Sequence, residues 1–237
     1  RAGASVEVST VVHSIRRLYT MDPKRDGLGL IEDAAIATHA GRVCWVGPSN
    51  QAPDTDNRVD GSGLIGLPGL VDPHTHAVWA GSRSDEFAAR LAGAKYADIL
   101  EAGGGILSTV SATRSADAED LRAHTQDRLL HMRSRGVTTV EVKSGYGLNP
   151  ETELAMLKAA SPDGLGMRVV RTFLGAHTIP SEFRGKRDAY VQQIIEDQLP
   201  LCAPHADFID VYCDRGAFDL DEAVAILKAG SALGLSK

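Results

Sequence analysis

The chain has 237 residues, of which 43% are hydrophobic and 24% charged, as in an ordinary globular protein. Its net charge of −6 argues against nucleic acid as the main partner, because phosphate-binding surfaces carry a basic excess. The sequence shows neither a membrane-length apolar run nor a signal-peptide pattern, so it predicts a cytoplasmic protein with no membrane partner. The cysteines Cys44, Cys202 and Cys213 are widely spaced and are predicted to be reduced and mostly buried.

Residues 1–66 are predicted to form a small β domain, antiparallel and sandwich-like. Turn signals such as Asp26-Gly27 separate short stretches that are rich in strand-forming residues. These stretches are residues 5–12, 34–38 and 42–46.

After residue 66 the pattern changes to strands that alternate with helices, which is typical of an α/β protein with a parallel sheet. Three apolar strands are predicted, over residues 137–142, 168–174 and 206–213. Each of these strands ends in a loop rich in polar residues and glycine.

Capping residues predict where the helices begin. Asp117 or Ser115 opens one helix, and the pair Asn149-Pro150 opens the next. Asp219 and Glu222 resemble a capping box for a later helix. Another helix is predicted from an apolar stripe that consists of Val191, Ile194, Ile195 and Leu199.

The alternation fits a (β/α)8 TIM-like barrel, whose site lies at the C-terminal ends of the strands. A complete barrel takes about 250 residues. Residues 67–237 are therefore predicted to be the N-terminal portion of a metal-dependent barrel, truncated before closure. An open flavodoxin-like sheet is the alternative, because alternation alone does not distinguish closed sheets from open ones.

Two histidines, His74 and His76, follow a short apolar strand that is preceded by Pro68 and Gly69. Residues i and i+2 of a strand project from the same face, so the two imidazoles can point at one metal ion. Neutral imidazole suits zinc and similar ions, and a catalytic site usually adds a third protein ligand and a water. The pair predicts half of a metal site, and an exposed turn is the alternative.

Three more polar residues lie in or near strand-end loops. Arg83 follows a flexible glycine and is suited to holding a carboxylate, although by itself an ion pair with Asp85 or Glu86 is favoured. Tyr146 lies between two glycines and either offers its hydroxyl to a ligand or caps a rim. His177 is either a catalytic histidine or a structural one.

These residues belong to longer motifs: Pro68-Gly-Leu-Val-Asp-Pro-His-Thr-His76, Gly81-Ser-Arg83, Tyr96-Ala-Asp-Ile-Leu, Gly103-Gly-Gly-Ile-Leu-Ser-Thr-Val, Glu141-Val-Lys-Ser-Gly-Tyr-Gly and Gly175-Ala-His-Thr-Ile-Pro. Together the motifs resemble those of the imidazolonepropionase family, within the amidohydrolase superfamily. The His-x-His element alone indicates only the superfamily, whereas the glycine-rich motifs are much more specific.

The resemblance implies a distorted barrel with a small β domain, one zinc or iron ion, and a role in histidine degradation. The implied reaction hydrolyses a small-molecule substrate, 4-imidazolone-5-propanoate, to N-formimidoyl-L-glutamate. His74 and His76 would bind the metal, Arg83, Tyr146 and His177 would contact the substrate, and His177 would be catalytic. The family's remaining metal ligands and its water-activating acidic residue are expected beyond Lys237. A homodimer is the candidate assembly.

Two other functions stay open at this stage. The first is another amidohydrolase activity, hydantoinase-like or nucleobase deaminase-like, which a substrate comparison would distinguish. The second is a non-catalytic fragment or binding paralogue that lacks the C-terminal ligands, for which metal content is the discriminating measurement.

Overall fold

The structure, a computed structural model, describes residues 8–95 and 104–237. The motif that begins at Tyr96, and Gly103 of the glycine-rich motif, lie outside the described residues. The chain divides into two compact units, Arg1–Gly69 and Leu70–Lys237. The assignment of residues 1–66 and 67–237 as domains of the whole protein stays a prediction.

The first unit contains a five-stranded sheet in the order β3-β2-β1-β4, with β5 also paired to β1. Strands β1, β2 and β3 are antiparallel, as predicted. The prediction is wrong for β4 and β5, which run parallel to β1. The chain leaves β3 through a 3-10 helix and an extended segment rather than a tight hairpin, so β4 begins beside Val11, near the start of β1. The bounds are β1 (Thr10–Tyr19), β2 (Leu30–His39), β3 (Arg42–Pro48), the 3-10 helix Ser49–Gln51, β4 (Arg58–Asp60) and β5 (Ile65–Gly66).

The second unit is built on a parallel sheet whose four strands follow one another in chain order, β6-β7-β8-β9. A flavodoxin-like sheet reverses its strand order at a switch point, and this sheet does not, so that alternative is wrong. The sheet curls as half of a barrel. Its strands are β6 (Leu70–Thr75), β7 (Val137–Lys143), β8 (Arg168–Ala176) and β9 (Phe208–Val211).

The predicted capping residues of three helices are confirmed. Asp117, Asn149 and Asp219 each accept a hydrogen bond from a main-chain N–H in the first turn, at 2.8, 2.8 and 2.9 Å. The Glu222 carboxylate in turn accepts a hydrogen bond from the Asp219 N–H, which completes the capping box. The helices are α1 (Ser84–Leu91), α2 (Ile106–Ser115), α3 (Ala118–Ser134), α4 (Pro150–Ala159), α5 (Arg187–Gln193), α6 (Leu199–Cys202) and α7 (Leu220–Ala232), with short 3-10 turns at Ser181–Phe183 and Ala203–His205.

The apolar stripe predicted as one helix is divided between α5, a π-helical turn at Ile194–Gln198 and α6. Pro200 has no main-chain N–H to continue the α-helical ladder, and the wider turn precedes it. The buried stripe nevertheless faces the core, with Ile194 and Leu199 fully buried.

Helices and strands of the second unit enclose two apolar clusters. One includes Phe173, Tyr190 and Phe218, and the other includes Leu129 and Met156. Burial of side chains of this size is the main favourable contribution to folding. These clusters pack the helices against the strands. The polar loops follow the C-terminal ends of the strands.

The cysteine prediction is correct only for Cys202, which is buried. Cys44 and Cys213 are exposed, because one lies on the edge strand β3 and the other in the loop after β9. Within the described part of the chain, no helix combines the length and apolar character needed to cross a membrane.

Candidate functional site

His74 and His76 lie at the C-terminal end of β6. Their ring centroids are 6.0 Å apart and the rings are nearly perpendicular. The Nδ1 atom of His76 is buried and has no hydrogen-bond partner among the residues that the structure describes. Burial, together with the charges of His177 and His74, lowers the pKa of His76 to about 4. His76 is therefore neutral at pH 7, which is the form that binds metal ions.

The two imidazoles fit part of a metal shell. The neutral ring of His76, whose buried Nδ1 has no hydrogen-bond partner within the described residues, is suited to be a metal ligand. The ring of His74 lies beside it. A catalytic zinc takes three protein ligands. Among residues 8–95 and 104–237, no group of three or more His, Cys, Asp and Glu side chains is placed to hold an ion.

Three of the predicted site residues come together as a ring cluster, formed by His76, Tyr146 and His177. His76 stacks on His177 with centroids 4.7 Å apart and planes 4° from parallel. Tyr146 lies 5.1 Å from the His76 ring and 5.4 Å from the His177 ring. The three residues follow β6, β7 and β8, and the carboxyl ends of parallel strands share one edge of the sheet.

The hydrogen bonding of His177 fixes which of its nitrogens carries the proton. Its Nδ1 lies 2.9 Å from the Gly145 carbonyl oxygen, which can only accept, so Nδ1 is the donor. Burial lowers the pKa of His177, opposed by this hydrogen bond and by the charge of Asp210. The neutral ring therefore presents the lone pair of Nε2 as an acceptor.

Tyr146 offers the opposite polarity. Burial raises the pKa of its phenol, while the charge of Arg83 acts against that shift. The hydroxyl therefore stays protonated at neutral pH and is a hydrogen-bond donor. The site thus combines a donor ring and an acceptor ring whose centroids are 5.4 Å apart.

A cavity of about 320 Å³ opens beside the ring cluster and is lined by His76, Tyr146 and Arg83, among others. Arg83 also pairs with Glu86, with Nη2 and Oε2 2.8 Å apart. The other oxygen of Glu86 accepts from the Gly105 N–H at 3.0 Å. The structure thus contains the ion pair offered as the alternative for Arg83 and also places Arg83 at the cavity.

Trp79 and Arg128 were not identified from the sequence. Trp79 lines the cavity, and the Arg128 guanidinium lies 3.6 Å above its ring. Arg128 Nη1 also donates to the Ala77 and Trp79 carbonyls, both at 2.9 Å. Helix α3 thereby supports the segment that follows His76. No local pattern marks Arg128, because it looks like one more polar residue of a surface helix.

A charged hydrogen-bond network on strands β7, β8 and β9 was also not identified from the sequence. Lys143 Nζ donates to Glu141 and Asp210, each at 2.9 Å, and Thr172 donates to Glu141 at 2.5 Å. Burial lowers the pKa of Lys143, but hydrogen bonds to the two carboxylates outweigh this and raise it. The network links β7, β8 and β9, so its members are too far apart in sequence to be recognised as a motif.

Comparison with known proteins supplies relatives for the whole chain. No protein-family model matches it. It is 45% identical over 230 residues to the imidazolonepropionase of Streptomyces coelicolor, covering 96% of this chain and 56% of that protein. It is 47% identical over 242 residues to the imidazolonepropionase of Streptomyces avermitilis, with the same coverage of 96% and 56%. The chain thus spans little more than half the length of these relatives.

Solved structures show the same fold at much lower identity. A Xaa-Pro dipeptidase with bound methionine gives a TM-score of 0.59 at 15% identity, covering 95% of this chain and 55% of that one. Guanine deaminase from C. acetobutylicum with bound guanine gives 0.57 at 14%, covering 95% and 51%. Atrazine chlorohydrolase from Arthrobacter aurescens complexed with zinc gives 0.55 at 17%, covering 94% and 51%. With identities near 45% along almost its whole length, the chain belongs to the imidazolonepropionase family.

Proposed function

We propose that this chain carries the substrate-recognition part of an imidazolonepropionase, which hydrolyses 4-imidazolone-5-propanoate to N-formimidoyl-L-glutamate. The observation that supports this most directly is the ring cluster of His76, Tyr146 and His177 beside a cavity that Arg83 also lines. The substrate combines a small polar ring with a carboxylate. The cavity combines hydrogen-bonding rings with a guanidinium.

In this proposal Arg83 binds the propanoate group. A guanidinium has five N–H donors, so the substrate carboxylate can join Glu86 on the same side chain. Tyr146 donates its O–H to the ring carbonyl, and His177 accepts a ring N–H at Nε2. Tyr146 and His177 thus bind two neighbouring groups of the substrate ring and fix its orientation. Such positioning accounts for much of an enzyme's rate gain.

The hydrolysis joins the oxygen of water to the ring carbonyl carbon and breaks the ring carbon–nitrogen bond, and the released nitrogen takes up a proton. As negative charge develops on the carbonyl oxygen, the Tyr146 hydroxyl stabilises it. His177 Nε2, a base next to the reacting ring, is the atom we propose for proton transfer.

We propose His74 and His76 as ligands of one divalent ion, zinc or iron. The neutral imidazole of His76 and the adjacent ring of His74 support this assignment, and a solved protein of the same fold was crystallised with zinc. When bound, such an ion lowers the pKa of water and polarises a carbonyl.

The test is an assay of the protein produced from the complete reading frame that contains this sequence, with imidazolonepropanoate compared with hydantoin and guanine as substrates. Tyr146→Phe should lower kcat about 10²–10³-fold, the usual effect of losing one oxyanion donor. Tyr19→Phe, in β1 of the first unit, is the matched control. Faster turnover of hydantoin or guanine than of imidazolonepropanoate would assign another amidohydrolase activity, and binding without turnover would assign a binding role.

A further inference from the structure

The loop that carries Tyr146 is held from one side by a buried carboxylate. Glu153, in the first turn of α4, is completely buried. Its Oε1 accepts from the Gly147 and Leu148 N–H groups, both at 2.8 Å. Its Oε2 accepts from the Gly145 N–H at 3.0 Å. A single side chain therefore accepts hydrogen bonds from three main-chain N–H groups of residues 144–148, which we name the tyrosine loop.

The same loop is held from its carbonyl side by Arg114 of α2. Its Nε donates to the Gly147 carbonyl at 2.6 Å, and Nη2 donates to the Leu148 carbonyl at 3.1 Å. Nη2 also pairs with Glu182 at 2.8 Å. The main chain of the tyrosine loop is thus held from two sides, with its N–H groups bonded to Glu153 and its carbonyls bonded to Arg114.

The loop has a backbone that few sequences would adopt without such support. Gly145 has φ of 107°, and a Cβ there would lie 2.8 Å from His177 Nδ1. Leu148 has φ of 54°, a conformation unfavourable for a residue with a side chain. A Cβ at Gly147 would lie 2.5 Å from the Glu153 main-chain nitrogen. The loop is therefore closely packed on both α4 and His177.

The tyrosine loop connects Glu153 to the ring cluster. The Gly145 N–H binds Glu153, and the Gly145 carbonyl binds His177 Nδ1. The N–H groups of Gly145, Gly147 and Leu148 all donate to the Glu153 carboxyl oxygens, so an amide nitrogen in place of one of these oxygens would face a donor. Leaving a buried N–H without an acceptor is costly, and the loop would shift to avoid it.

We propose that Glu153 is a positioning residue of the site: its carboxylate fixes the tyrosine loop, so that Gly145 holds His177 in the Nδ1–H tautomer and Tyr146 faces the cavity. Within the described part of the chain, Glu153 does not line the cavity, and it bonds to main-chain N–H groups of the tyrosine loop rather than to the ring cluster. The inference rests on the proposed function only for its kinetic consequence. The tautomer of His177 can be measured without turnover.

The experiment compares Glu153→Gln with Glu151→Gln, which removes the same charge from an exposed position on the same helix. Side-chain ¹⁵N NMR at pH 8, with His177 assigned from the spectrum of His177→Asn, reports which nitrogen carries the proton. We expect His177 to be protonated at Nδ1 in the unmodified protein and in Glu151→Gln. In Glu153→Gln we expect a mixture of tautomers.

The kinetic readout is kcat/KM with imidazolonepropanoate. A displacement of about 1 Å at a reacting group can cost roughly 100-fold, so Glu153→Gln should lose 10- to 100-fold and Glu151→Gln should not. Glu153→Asp keeps the charge but retracts it by one methylene, and it should give an intermediate tautomer mixture. It serves as the test if the glutamine variant does not fold.

An unchanged His177 tautomer in a folded Glu153→Gln or Glu153→Asp variant overturns the proposal, whatever the kinetics. A changed tautomer in a protein that does not turn over imidazolonepropanoate supports the positioning role and refutes the proposed function. The two conclusions are therefore tested separately.

Discussion

At the scale of single residues, the site is defined by which atoms donate and which accept. The Gly145 carbonyl fixes the hydrogen of His177 at Nδ1, and burial keeps the Tyr146 hydroxyl protonated. Neither property follows from residue type, since a histidine has two tautomers and a tyrosine both donates and accepts. The environment of each ring therefore assigns its chemical role.

Replacing Arg83 by alanine should affect substrate binding far more than folding. The Arg83–Glu86 pair joins residues three apart on an exposed surface, where the arginine side chain is 47% exposed, and such pairs contribute at most about 1 kcal/mol. We expect KM to rise with little change in the melting temperature. Arg90→Ala, in the last turn of helix α1, which begins directly after Arg83, is the control. Unchanged kinetics with a large loss of thermal stability would make Arg83 purely structural.

His76 should make the protein sensitive to acid. Its pKa is about 4 in the folded protein against 6.5 for an ordinary histidine, so between these values only the unfolded chain takes up the proton. Stability present above pH 6.5 is lost as the pH falls towards 4, by about 2–3 kcal/mol after allowance for partial exposure. Thermal melting from pH 4 to 8 in the presence of a chelator measures this. His76→Gln should show a flatter profile, and equal slopes would contradict the assignment.

At the scale of elements, the helices begin where short-range chemistry dictates. The capping box of Asp219 and Glu222 opens α7, and the box is complete within four residues of sequence. The apolar residues that follow then place the helix against β9, where Gly230 packs on Ile209.

Asp219→Ala should destabilise the protein by about 1 kcal/mol through loss of this cap. For a protein of this size the expected fall in melting temperature is about 2–4 °C. Asp221→Ala removes an equal charge from the same turn without removing the cap, and it should have the smaller effect. A larger effect at position 221 would show that the helix dipole, rather than the capping hydrogen bond, dominates.

These elements also show what sequence reasoning can and cannot reach. The caps at Asp117, Asn149 and Asp219 were predictable because donor and acceptor lie within three residues of each other. From the sequence alone, Glu153 looks like a favourable negative charge in the first turn of a helix. Its burial depends on a loop that precedes the helix folding back over it, and Arg114 reaches that loop from another helix. Such contacts arise from packing rather than from a local pattern.

At the scale of the whole molecule, the described part of the parallel sheet has an edge at β6 that carries exposed apolar side chains. Leu70 is 47% exposed and Val71 is 61% exposed. Unpaired strand edges with apolar residues promote association between chains. Natural proteins often protect such edges with lysine.

Val71→Lys should therefore reduce aggregation of the purified 237-residue chain, measured by light scattering over a range of protein concentrations. Val224→Lys adds the same charge to a partly exposed position on helix α7 and is the control. If both variants aggregate equally slowly, net charge rather than the strand edge is responsible.

The strand order β6-β7-β8-β9 also bears on how the chain folds during synthesis. Among the four described strands, each one that emerges pairs with the strand completed just before it, and none has to insert between strands already paired. The nascent chain can therefore add one strand and helix at a time at the ribosome exit, with the N-terminal segments settling first. The ring cluster would form in the same order. His76 is synthesised first, after β6, and Tyr146 can contact it once β7 has paired. His177, which stacks on His76, follows β8 and is added last.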